Sequence, residues 1–122
     1  MLLEWSNTGN QGGLVYDYID PSNYRAVLVA CGACATGAAG PINVVEVVNG
    51  VRRVVLSTSG PSFKPRQWLT VGVRRIGELT EIRVQEFPIR LKQPIVAGSR
   101  RAGLIARFNK VRFDDVIVGV PP

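Results

Sequence analysis

The chain has 122 residues, of which 46% are hydrophobic and 20% charged, with a net charge of +6 and no histidine. That length supports one folded domain, and the balance of apolar to charged residues excludes a disordered chain. Without an imidazole, Ser-His-Asp and Cys-His nucleophiles and most zinc hydrolase centres are ruled out, and no apolar run reaches the roughly 20 residues of a membrane-spanning helix.

In chain order, the first expected element is a short strand around Leu2 to Trp5. The opening Met1-Leu2-Leu3-Glu4-Trp5 carries no basic segment and no small-residue cleavage site. No secretory signal is read there, which leaves a cytoplasmic protein or a domain of a longer secreted parent. Period-2 runs follow at Leu14 to Ile19 and Tyr24 to Ala30. Residues 31–40, rich in Cys, Ala and Gly, read as an inserted loop. Further strands are expected at Ile42 to Asn49, Val51 to Ser57, Trp68 to Ile76, Leu79 to Phe87, Arg101 to Phe108 and Val111 to Val118. No segment shows a helical period of 3.6.

Turn signals separate these runs at Asp20-Pro21-Ser22-Asn23, Asn49-Gly50, Ser59-Gly60-Pro61, Gly77-Glu78 and Asn109-Lys110. Asn49-Gly50 is the most specific, because both central residues of a type I′ turn need positive φ, which Asn and Gly tolerate best. A second hairpin is expected at Gly77-Glu78, and a third joining Leu104 to Phe108 with Phe113 to Val118. The fold class is therefore all-β: a single antiparallel sandwich over residues 1–122, with no significant helix.

Five phrases carry a family resemblance. They are Gly13-Leu14-Val15-Tyr16-Asp17-Tyr18 with Asp20-Pro21-Ser22-Asn23-Tyr24-Arg25, the hairpin from Val45 to Val55, Gln67-Trp68-Leu69-Thr70-Val71, Arg101-Ala102-Gly103-Leu104, and Val111-Arg112-Phe113-Asp114-Asp115-Val116. In this order they resemble the laminin-G-like, concanavalin A-like jelly rolls of bacterial secreted proteins. The resemblance implies a non-catalytic binding or adhesion module for carbohydrate, extracellular or at the cell surface as part of a parent protein. It also implies a calcium at the sandwich rim, for which Asp114 or Asp115 and Asp20 are the candidate ligands. The family's usual first strands have no counterpart before Gly13, so the chain reads as a fragment or as a minimal version with an uncovered edge. Such an edge invites pairing with a second copy, and a homo-oligomer is expected.

The basic residues are twelve Arg against three Lys, and Arg presents a planar fork suited to carboxylate and sulfate groups. Doublets recur at Arg52-Arg53, Arg74-Arg75 and Arg100-Arg101. Within a strand one member of a doublet faces outward, and the other faces the interior, where it needs a partner. Arg74 and Arg83 lie on two arms of one hairpin and together make a candidate face for acidic glycans. Nucleic acid is the poorer anionic partner, since no aromatic platform or reading helix accompanies the arginines. Trp5 and Tyr18 are the candidate sugar-stacking rings, while Tyr16, Tyr24, Trp68, Phe87, Phe108 and Phe113 are expected in the core.

Cys31-Gly32-Ala33-Cys34 reads as two loop thiols or a local disulfide. A zinc site would need ligands from a second subunit, and nothing helical follows to make a redox motif. Among the acids, Glu78 and Glu81 flank a hairpin and Asp114-Asp115 alternate across a strand, so no glycosidase pair stands out. The alternatives to a glycan binder are a structural protein–protein interaction domain and a degenerate glycoside hydrolase or lyase.

Overall fold

The computed structural model describes residues 2–3, 11–30, 41–60, 68–98, 101–107, 111–114 and 116–117. These form ten strands and no helix: β1 (Leu2–Leu3), β2 (Gln11–Asp20), β3 (Asn23–Ala30), β4 (Pro41–Val48), β5 (Val51–Ser59), β6 (Val71–Ile76), β7 (Leu79–Val84), β8 (Phe87–Lys92), β9 (Arg101–Arg107) and β10 (Val111–Arg112). A five-stranded antiparallel sheet, ordered β5-β4-β3-β2-β9, packs on a three-stranded sheet, β6-β7-β8, and β1 pairs with β10. No helix among the described residues is long and apolar enough to cross a membrane.

The alternation of β-branched residues explains the packing. Val27, Val29, Ile42 and Val44 point from the larger sheet toward Leu69, Ile82, Val84 and Ile89, and all eight are buried. Burying each such side chain stabilises the fold by about 1.5–3 kcal/mol. Ala26, Leu28, Val15 and Val45 occupy the other face of the larger sheet as a second apolar cluster. Strand β3 is thus buried on both faces, as its near-continuous apolar sequence requires. Beside it, Gly13 admits no side chain, since a Cβ there would lie 1.8 Å from the Val27 carbonyl oxygen.

The turn at Asn49-Gly50 has the expected positive φ at both residues, 50° and 80°, and sets Glu46 opposite Arg53. At β2–β3, Asp20 Oδ1 accepts the Ser22 N–H at 2.8 Å. The two hairpins are tied together where Gly50 N–H donates to the Ser22 carbonyl and Asn49 N–H to Asn23 Oδ1, both at 3.0 Å.

Three expectations are corrected. Strand β6 begins at Val71, not Trp68. The strand expected over Leu79 to Phe87 is two, because Gln85-Glu86 turns the chain, with Gln85 at φ 54°. Thr70 fixes that turn: its N–H donates to Gln85 Oε1 at 2.7 Å and its carbonyl accepts the Gln85 N–H at 2.8 Å. Finally, β9 pairs with β2 and β10 with β1, instead of forming a hairpin with each other. The pairing, which runs from Gln11 opposite Arg107 to Tyr18 opposite Arg101, lets β9 cover the edge of β2, whose backbone groups would otherwise be unpaired. The loop at 31–40 and the Asn109-Lys110 turn lie outside the described residues.

Candidate functional site

Two polar constellations stand out. The first lies between the sheets, where the apolar interior ends. Along the inward face, Val29 and Val27 of β3 give way to Arg25, and Ile42 and Val44 of β4 to Glu46. On the facing sheet, Val71 and Val73 give way to Arg75, and Val84 and Ile82 to Thr80. Regular alternation would turn Asp17 outward, beside an inward Tyr16. A register shift in β2 and a φ of 49° at Asp17 bring its carboxylate inward instead.

Asp17 Oδ2 then accepts from Arg25 Nη1 at 2.8 Å and forms an ion pair with Arg75, whose Nε lies 3.1 Å away. Arg25 Nε meets Glu46 Oε1 at 3.3 Å, and Arg53 Nη2 meets Glu46 Oε2 at 3.2 Å. Arg25 Nη1 and Arg75 Nη2 also donate to the Pro94 carbonyl, at 2.7 and 3.3 Å. Arg75 Nη1 donates to Thr80 Oγ1, while the hydroxyls of Thr80 and Tyr16 both donate to Gln93 Oε1, each at 2.7 Å. Gln93 Nε2 completes the ring by donating to Glu46 Oε1 at 3.3 Å. Burial pushes the Tyr16 phenol up to about 12. The network answers each buried charge with an opposite charge or a carbonyl, as burial requires.

The second constellation is on the outer face of the β6-β7-β8 sheet. Arg74 and Arg90 flank Glu81 on neighbouring strands, and Arg83 stands one row along, between Gly72 and Pro88. All three arginines are exposed. Arg90 Nε is 3.6 Å from Glu81 Oε1, and neither Arg74 nor Arg83 has an ion-pair partner among the described residues. Gly72 has open space where a side chain would stand. The result is a shallow trough of about 300 Å³ with Gly72 and Pro88 in its floor and guanidinium groups along its sides. The doublet Arg74-Arg75 thus divides as its strand position requires, one outward in the trough and one inward on Asp17.

The other sequence candidates fall elsewhere. Tyr18 is half-buried and stacked on Tyr24, with ring centroids 6.1 Å apart. Asp20 is engaged in its own turn, its carboxylate accepting from Ser22 N–H and Asn23 Nδ2. Asp114 is exposed. Among the described residues no three acidic or sulfur side chains gather as a metal site would need. Trp5, Cys31, Cys34 and Asp115 lie outside the described residues. Trp68, expected in the core, is 49% exposed, because Leu69 takes the inward position. Asp17, Glu46 and Gln93 were not singled out as site residues by sequence, nor was Arg90, and Arg75 was marked only as one member of a doublet whose inward residue needs a partner. The signal for Glu46 was present: the Asn49-Gly50 turn fixes it opposite Arg53, within an otherwise apolar inward row.

No family model matches the chain, and no curated protein matches it in sequence. In fold it is similar to the carbohydrate-binding module CBM66 from Bacillus subtilis, with a TM-score of 0.63 and 13% identity. The likeness covers 86% of this chain and 60% of that one, so the chain spans less than two thirds of that module's length. At this identity the likeness is one of fold, and the chain is a jelly-roll-like β-sandwich.

Proposed function

We propose that this domain is a non-catalytic carbohydrate-binding module that takes acidic glycans in the Arg74–Arg83–Arg90 trough. One observation carries the reading: three exposed guanidinium groups share an open face with a single carboxylate, leaving Arg74 and Arg83 unpaired among the described residues. An Arg fork matches the oxygens of a sulfate or carboxylate in a planar, two-point contact. The fold likeness to a carbohydrate-binding module supports the glycan over other anions. A hydrolytic role lacks support, because Asp17 and Glu46 already engage guanidinium and amide donors, so neither is free to protonate a leaving group.

The test is binding to a sulfated glycan, heparin, at low and high salt. Binding should be strong at low salt, weaken as salt rises and drop about tenfold or more in the Arg74→Ala, Arg83→Ala double variant. Absence of binding to acidic glycans at any salt would overturn the proposal. A second reading, a protein-contact domain, is favoured by one observation: edge strand β5 and its hairpin leave Val48, Val51 and Val54 exposed. Pairing of this edge with a second copy predicts a dimeric mass in solution, and a strict monomer would end that reading.

A further inference from the structure

The seam between the two sheets holds a groove of about 460 Å³, within the roughly 300–1,000 Å³ typical of small-ligand sites. It is formed where β2, β9 and the start of β6 meet, on the side where the interior is apolar. We infer that this groove is a second carbohydrate site, distinct from the arginine trough, and that it takes an uncharged sugar ring against the indole of Trp68. The inference rests on the reading of the chain as a carbohydrate binder and adds to it where a neutral sugar goes.

The argument begins with Trp68. Its neighbour Leu69 is 2% exposed and anchors this stretch in the core, so Trp68 is turned to the groove with half its surface in water. A large aromatic left wet beside an open cavity is a surface awaiting an apolar partner. The groove's floor is Leu14 and Phe113. Exposed Val116 and Ile117 extend the apolar lining.

The polar lining then selects the ligand. Thr70 and Asp114, both exposed, offer a hydroxyl and a carboxylate. Thr70 is rigidly set, because both its backbone groups are held by Gln85. No lysine or arginine lines the groove among the described residues, so these offer an anionic ligand no guanidinium or ammonium group to pair with. A sugar ring matches this mixture: its C–H face lies on the indole and aliphatic surfaces, and its hydroxyl edge donates to Asp114 and Thr70. The two sites therefore differ in charge character: guanidinium groups line the trough, and none lines the groove among the described residues.

Nuclear magnetic resonance provides the test. The chain contains two tryptophans, so its spectrum has two indole N–H signals, and a Trp68→Phe variant identifies the one from Trp68. Cellohexaose, maltohexaose and an inulin oligosaccharide are titrated as neutral probes, with heparin as the acidic one. The expected result is that a neutral probe moves the Trp68 signal, with an affinity indifferent to salt. Trp68→Ala should weaken that binding about tenfold or more and Asp114→Asn by a smaller factor, with heparin binding unchanged. Trp68→Phe should retain part of the affinity, and thermal melts establish that each variant is folded. If no neutral probe moves the signal while heparin still binds, the inference falls and the trough stands. Neutral binding that survives in folded Trp68→Ala also overturns it, as does a dimer that Trp68→Ala dissociates, which would make a second copy the occupant. If neither heparin nor a neutral probe binds, the carbohydrate reading itself fails.

Discussion

Asp17 reaches its partners only because its backbone occupies the left-handed region, an arrangement that costs a non-glycine residue roughly 1–3 kcal/mol. What holds it there is the pair of guanidinium groups on Oδ2. Removing the carboxylate strands both: Asp17→Ala should destabilise the domain by about 3–5 kcal/mol. Asp17→Asn tolerates the same φ and keeps an acceptor, so it should cost less, about 1.5–3 kcal/mol. Urea unfolding of the two variants separates the contribution of charge from that of shape. The neighbouring Tyr16 predicts an alkaline limit. Its phenol is raised by burial from 10.0 to about 12, so between those values the unfolded chain releases a proton that the folded chain retains. The stabilisation is full below pH 10 and is lost as pH rises through 12, a swing of about 3 kcal/mol at most. Tyr16→Phe should flatten this slope in melts taken across that range. At neutral pH it should cost only about 1 kcal/mol, because Gln93 Oε1 still accepts from Thr80.

At the scale of elements, the β4–β5 hairpin depends on two residues at positive φ. Gly50→Val should destabilise by about 1–2 kcal/mol, since a β-branched side chain does not enter that region freely. A lowered melting temperature with the sheet retained by circular dichroism would be the outcome. This hairpin was legible in sequence because its turn chemistry and its flanking valines agree. The β8 strand was not, although Phe87, Ile89 and Leu91 alternate with Pro88, Arg90 and Lys92. Pro88 cannot donate to a ladder, and the Gln85-Glu86 turn lacks Gly or Asn; an edge strand tolerates both departures. The β1–β10 pairing was hidden for a different reason. It joins residues from opposite ends of the chain, and sequence proximity favours hairpins over such closures.

For the whole molecule, the two-sheet sandwich followed from period-2 patterning, whereas the sites required knowing which strands are neighbours. Arg74 and Arg83 could be joined in advance because one turn links their strands. Arg90 enters through the unforeseen β8, and Asp17 meets Arg75 only across the gap between sheets. That cross-gap network has a mechanical consequence. Apolar contact between sheets is non-directional and lets them shear, whereas the Asp17 carboxylate and the Pro94 carbonyl each clasp Arg25 of one sheet and Arg75 of the other. The sandwich is hinged at that end and merely adhered at the other. Local opening should start at the adhered end, so hydrogen exchange is expected to run faster at the amides of Val71 and Val84 than at those of Arg75 and Thr80. In Asp17→Ala that gradient should collapse toward uniform exchange, as the clasp that separates the two ends is released.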